Sequence, residues 1–142
     1  MPGFRYVVVL ISAVLAAGCS SSGRPVDIAG PRWVLVAVAK GDGAAMPIPS
    51  SLNASMEIDP HGEWLGHDGC SPFDAKAHID GGTLIISDLS IGANGCISDG
   101  GPLDLCREAF GSIYETRRAH VSRVGTKLTV TPHGYTMTFR AE

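Results

Sequence analysis

A single stretch of this 142-residue chain carries a helical period, and the rest is cut into short strands. Cys106, Ala109, Phe110, Ile113 and Tyr114 follow the i, i+3, i+4, i+7 spacing of one helix face. Pro102 suits the first turn of that helix. Asp104 and Glu108 lie toward the positive end of its dipole, and Arg117 and Arg118 toward the negative end. The spacing predicts one α-helix over residues 103–116. Elsewhere the pattern is that of strands. Residues 33–39, with Val34, Val36 and Val38, read as a first strand buried on both faces. Further strands are expected at 54–58, 63–66, 72–79, 83–87, 90–93, 119–124, 127–131 and 135–140. The Asp59-Pro60-His61-Gly62, Asp80-Gly81-Gly82 and Pro132-His133-Gly134 turns and Gly125 separate several of them. One helix cannot cover a sheet of about seven or eight strands. The sheet must therefore curl on itself around the helix or fold into a partial antiparallel barrel, an α+β fold that is mainly β.

The first residues have a different character. Arg5 is followed by an apolar run over residues 6–15, and then by the small residues Ala16, Ala17 and Gly18 before Cys19. This is the order of charge, apolar core and small residues found in an export signal. The run is well short of the roughly 20 residues that a membrane-spanning helix needs. Small residues before a cysteine resemble a bacterial lipobox. That resemblance implies a signal peptide over residues 1–18 and lipid on Cys19. Ser20, Ser21, Ser22, Gly23, Arg24 and Pro25 follow as a polar tether, and residues 19–30 are expected to be flexible. Residues 31–142 make one domain. The chain would then work outside the cytoplasm, anchored to the outer face of the cytoplasmic membrane or to the outer membrane. The formal charge of −3 comes from interspersed acids and bases, with no basic patch to invite nucleic acid.

No catalytic constellation stands out. Cys70 lies near His61, His67 and Asp68 in sequence, but nucleophilic chemistry needs a lowered thiol pKa and a base within hydrogen-bonding reach. Asp59, Glu63 and Asp68 read as solvated turn charges rather than a hydrolytic pair. The spacing of His61, His67, His78 and Cys70 is too loose for a metal motif. No cofactor is expected. Export places Cys70, Cys96 and Cys106 in an oxidising compartment, where at least one of the three stays unpaired or pairs between chains.

Several residues together resemble the META domain, or HslJ-like, family of small bacterial envelope proteins. They are Trp33-x-Leu35, Gly66, the run Gly69-Cys70-Ser71-Pro72-Phe73, Gly82 with Leu84, Cys96, Glu108, Phe110, Leu128 and Phe139. The likeness spans about residues 31–140. It implies a cracked, incomplete antiparallel β-barrel of about seven or eight short strands with one α-helix packed across it, and no established reaction. Members have been linked to heat shock, antibiotic tolerance or secretion. Cys70 and Cys96 match the family's two cysteines, which implies a Cys70–Cys96 disulfide. Cys106, in phase with Ala109, Phe110 and Ile113, is then a buried thiol. Cys96–Cys106 and Cys70–Cys106 remain as alternatives.

The expected function is binding without catalysis, to another envelope or secretion component. Trp64 either packs in the core or, if exposed, contacts the partner. Met46 and Ile48, in the proline-broken loop over residues 41–52, are further candidate contacts. The alternative is a carrier or sensor of a small apolar ligand in the barrel mouth.

Overall fold

The computed structural model describes residues 26–142, so Cys19 and the export leader lie outside the described residues. The chain forms β1 (Trp33–Lys40), a two-residue strand β2 (Met46–Pro47), a 3-10 turn (Ser50–Leu52), β3 (Ser55–Ile58), β4 (Glu63–His67), β5 (Pro72–Asp80) and β6 (Thr83–Ile91). The helix α1 (Pro102–Thr116) follows, and then β7 (Arg118–Val124), β8 (Lys127–Thr131) and β9 (Tyr135–Ala141). All pairings are antiparallel between neighbours, and β1 also pairs with β9. The sheet therefore closes. It is an eight-stranded barrel of β1 and β3–β9, with β2 added beside β1, and not the cracked barrel expected from the sequence. Closure gives every barrel strand two neighbours and removes the open edge. The shortest seams are β1–β3, with two register pairs, and β6–β7, with three.

Two bulges explain where the strand pattern misleads. Leu35 faces Phe139 while Ala37 faces Thr138, so β1 carries one residue more than β9 around Val36. The extra residue resets the alternation, and Trp33, Leu35 and Val38 all point inward. The outer side of β1 is half-buried rather than fully buried. On β6, Lys76 faces Ser87 and Asp74 faces Ser90, which leaves one extra residue near Asp88. Asp88 takes the left-handed conformation, with φ 52°. The two short strands expected at 83–87 and 90–93 are thus one bulged strand.

The core fills the barrel. Trp33, Trp64, Phe110, Phe139, Met56 and Met137 are its largest fully buried side chains together with several leucines and isoleucines. Both mouths are covered. Helix α1 covers the mouth formed by the end of β1 and the starts of β5 and β9. Phe110 packs there against Phe73 and Phe139, with ring centroids 5.4 Å and 6.3 Å apart. At the opposite mouth, Ile28 is buried and its carbonyl accepts a 2.8 Å bond from Trp33 Nε1. The Gly30 N–H donates to the Ile58 carbonyl. Residues 26–30, read from the sequence as part of the tether, belong to the packed domain, and residues 19–25 lie outside the described residues. A sequence without period at Ile28 gives no sign of this.

Candidate binding surface

The helix-covered mouth gathers the residues with the most unusual environments. It begins at the corner between β4 and β5. Asp68 is buried there. Its Oδ1 accepts the backbone N–H of Cys70 at 2.9 Å and of Ser71 at 2.7 Å, and its Oδ2 accepts the Tyr114 hydroxyl at 3.2 Å. This turn hydrogen-bonding by an Asp side chain fixes the corner. Burial and the nearby Asp68 carboxylate push the Tyr114 hydroxyl pKa well up. Gly69 sits in the left-handed region at φ 94°, with Leu103 and Cys106 of the helix packed close by.

Cys70 is joined to Cys96 by a disulfide, and Cys106 is a free buried thiol. Desolvation pushes the Cys106 thiol up to about 12, so it stays protonated and inert. The disulfide ties the connection between β6 and α1 to the corner. The Asn94 side-chain amide donates to the Cys70 carbonyl, and the Gly92 N–H to the Pro72 carbonyl. Beyond Cys96, Asp99 accepts the N–H groups of Gly101, Leu103 and Asp104. It thereby supplies the side-chain cap that Gly101, at the N-cap position, lacks. Those backbone donors, that of Leu103 first, hold the Asp99 carboxyl below its usual pKa. Ser98 donates to Asp104, which also accepts the Gly100 N–H.

Ile97 sits between these anchors, 91 % exposed. Its neighbours are tied down, Cys96 by the disulfide and Ser98 by its bond to Asp104, while its own aliphatic side chain stands in water. Past the end of this loop, a surface depression of about 340 Å³ runs between Gly100, Lys40, Met46, Leu105 and Glu108. Glu108 Oε2 accepts from Lys40 Nζ and from the Tyr135 hydroxyl, each at 2.9 Å. These bonds lower the Glu108 pKa and raise that of Lys40, and they fasten the helix to β1 and β9.

The candidate contacts named from the sequence separate here. Met46 stands 39 % exposed on the short strand β2 and lines that depression. Ile48 is buried, its N–H bonded to the Val36 carbonyl, so its side chain packs with the core and not on this surface. Trp64 is 0 % exposed, packed on Phe73 at 4.3 Å with its Nε1 toward Met56, so it belongs to the core. Its neighbour Leu65 takes the outward position. Ile97 was not singled out in the sequence. The available signal was an aliphatic residue directly beside a cysteine in a glycine-rich loop. Cys70 is not aligned for nucleophilic chemistry, since it is in the disulfide, and His67 Nδ1 accepts the Gly69 N–H. Among the described residues, no group of three His, Cys, Asp or Glu side chains is arranged to hold a metal.

The META domain family model matches residues 26–142, which is most of the chain and includes the segment around Ile28. The chain belongs to the META domain family. A solution structure of a protein from Burkholderia xenovorans is similar to this META domain, at 18 % identity and a TM-score of 0.60, covering 100 % of this chain and 99 % of the other. A second solution structure matches at 19 % identity and a TM-score of 0.60, covering 78 % and 87 %. A crystal structure of an uncharacterized protein from Bacteroides eggerthii matches at 14 % identity and a TM-score of 0.50, covering 82 % and 100 %. At these identities the likeness concerns the fold alone. No curated protein matches this META domain significantly.

Proposed function

We propose that this META domain is a lipid-anchored envelope protein that acts by binding another envelope or secretion component and performs no chemistry of its own. The observation that carries the reading is Ile97, fixed in water between the Cys70–Cys96 bridge and the Asp99 cap. A contact residue whose backbone is tied down on both sides loses less entropy when it docks, and an aliphatic anchor there is suited to fill a partner's pocket. Met46 and the depression beside it extend the surface. The carrier alternative would need room in the barrel, and the described interior is occupied by Trp33, Trp64, Phe110, Phe139 and their neighbours. The anchor rests on the lipobox at Cys19.

Two measurements test the reading. A photoreactive side chain at position 97, in cells making the full chain, is expected to give one discrete protein adduct. The same group at position 76, on the outer wall of β5, is expected to give none. Equal yields, or adducts only with lipid, would reject the proposed contact. Separately, Cys19→Ala is expected to abolish fatty-acid labelling and release the folded chain from the membrane fraction.

A further inference from the structure

The hairpin of β7 and β8 projects from the mouth opposite the helix. The register of β6 with β7 runs only from Thr83–His120 to Ile85–Arg118. Ser122, Arg123 and Val124 therefore extend past the start of β6. At the tip, Val124 is 80 % exposed. Val124 pairs with Lys127, and Lys127 with Arg140, so the three side chains line up across β7, β8 and β9 on the outer face. Neither Lys127 nor Arg140 has an ion-pair partner among the described residues, whose two salt bridges are Arg32–Glu142 and Lys40–Glu108. Two like charges directly opposite on adjacent strands disfavour the fold. The same row carries an aliphatic side chain in water. Two unpaired cations and an aliphatic side chain in one row suit a surface that is anionic and partly apolar.

The path of the chain indicates which surface this is. Arg123 stacks over the Trp33 ring at 5.0 Å, and its Nη1 donates to the Asp27 carbonyl at 2.8 Å. The far end of the hairpin, one residue from Val124, thus holds the segment that leads toward Cys19. From Cys19 to Val26 is seven residues, a reach of roughly 25 Å even when fully extended. A lipid on Cys19 keeps this mouth within that distance of the bilayer.

We propose that the β7–β8 hairpin tip is a docking surface for an anionic phospholipid membrane, with Val124 at the level of the headgroups and Lys127 and Arg140 on lipid phosphates. The orientation rests on the anchoring reading above, and it places Ile97 on the far side of the barrel, facing away from the bilayer. Basic residues gain by lying near an anionic leaflet, and an adjacent apolar side chain adds area buried at the interface.

The test uses the full chain in vesicles of mixed anionic and zwitterionic phospholipid. A photoreactive group at position 124 is expected to crosslink to lipid at least about fivefold more than one at position 97, with Lys127→Glu or Arg140→Glu each removing most of that excess. Purely zwitterionic vesicles are expected to remove it too. Lys127→Glu places an acid opposite Arg140, so the domain is expected to become slightly more stable while losing lipid contact, a combination that unfolding cannot produce. Equal lipid crosslinking at 124 and 97, indifference to charge reversal, or a protein adduct at 124 in place of lipid would overturn the proposal. If Cys19→Ala leaves the chain in the membrane fraction, the anchoring reading fails, while the comparison of positions 124 and 97 still decides the hairpin.

Discussion

Tyr114 and Asp68, 46 residues apart, join the helix to the disulfide corner: the Tyr114 hydroxyl donates to the carboxylate oxygen that the Cys70 and Ser71 amides leave free. Removing the hydroxyl leaves a buried carboxylate oxygen without a protein donor. Tyr114→Phe is expected to cost about 1–2 kcal/mol in denaturant unfolding, the scale of one hydrogen bond to a charged group that is only partly desolvated. The pH dependence follows from the direction of the Tyr114 shift. Its folded pKa is raised above the ordinary value of 10.0. The stabilisation is therefore complete below that value and declines as pH rises past it, because the unfolded chain releases the proton more readily. Tyr114→Phe should flatten that alkaline decline. An unchanged alkaline slope would show that the hydroxyl is not buried as described.

Phe110 lies at the centre of the helix's buried face, against Phe73 and Phe139. Truncation removes a fully buried ring from the point where helix and barrel meet. Phe110→Ala is expected to destabilise the domain by about 3–5 kcal/mol. Chemical denaturation checks this, and a loss under about 1 kcal/mol would be inconsistent with burial of the full ring.

Gly66 takes an inward position on β4 because the chain beside it leaves no volume. A Cβ there would overlap the Ser55 carbonyl and the Phe73 ring. Gly66→Ala is expected to destabilise the domain by about 1–3 kcal/mol through overpacking, the opposite sign from an ordinary Gly→Ala exchange in a strand. Thermal unfolding of the variant decides between the two signs.

The helix was legible because its period is long enough to be unambiguous. Cys106, Ala109, Phe110 and Ile113, read as one face, are its buried residues. The strands were legible as segments, but their facing was not. In Glu63-Trp64-Leu65-Gly66 two large apolar residues are adjacent, and a five-residue strand gives no period to choose between them. Only the register of Trp64 with Ile58 and Ala75 selects which one faces in. The β6 bulge was hidden for a similar reason, since Asp88 reads as a break until its left-handed backbone is seen. Barrel closure depends on β1 meeting β9 across the whole chain, which local pattern does not encode. The candidate surface was partly legible. Cys70 and Cys96 marked it, but Asp99, three residues ahead of Pro102, read as loop although it caps the helix. Ile97 carries no pattern at all. Its exposure is visible only in the folded loop, between two anchored neighbours.

Those anchors give the last prediction. Non-reducing peptide mapping of the purified protein is expected to link the Cys70 and Cys96 peptides and leave Cys106 free. Cys106, with its thiol pushed up to about 12 and no exposure, should resist alkylation in the folded protein and react once the chain is denatured. The bridge spans 26 residues of sequence, for which the chain-entropy model gives about 3.5 kcal/mol. Cys70→Ala with Cys96→Ala should lose roughly that much stability and also free the loop around Ile97. The two consequences separate in one experiment. Hydrogen exchange at Leu103 and Asp104, whose amides bond to Asp99, should speed up more than exchange at the centre of α1. Uniform acceleration along the helix would mean that the bridge stabilises the domain as a whole and leaves the Asp99 cap to hold Ile97 alone.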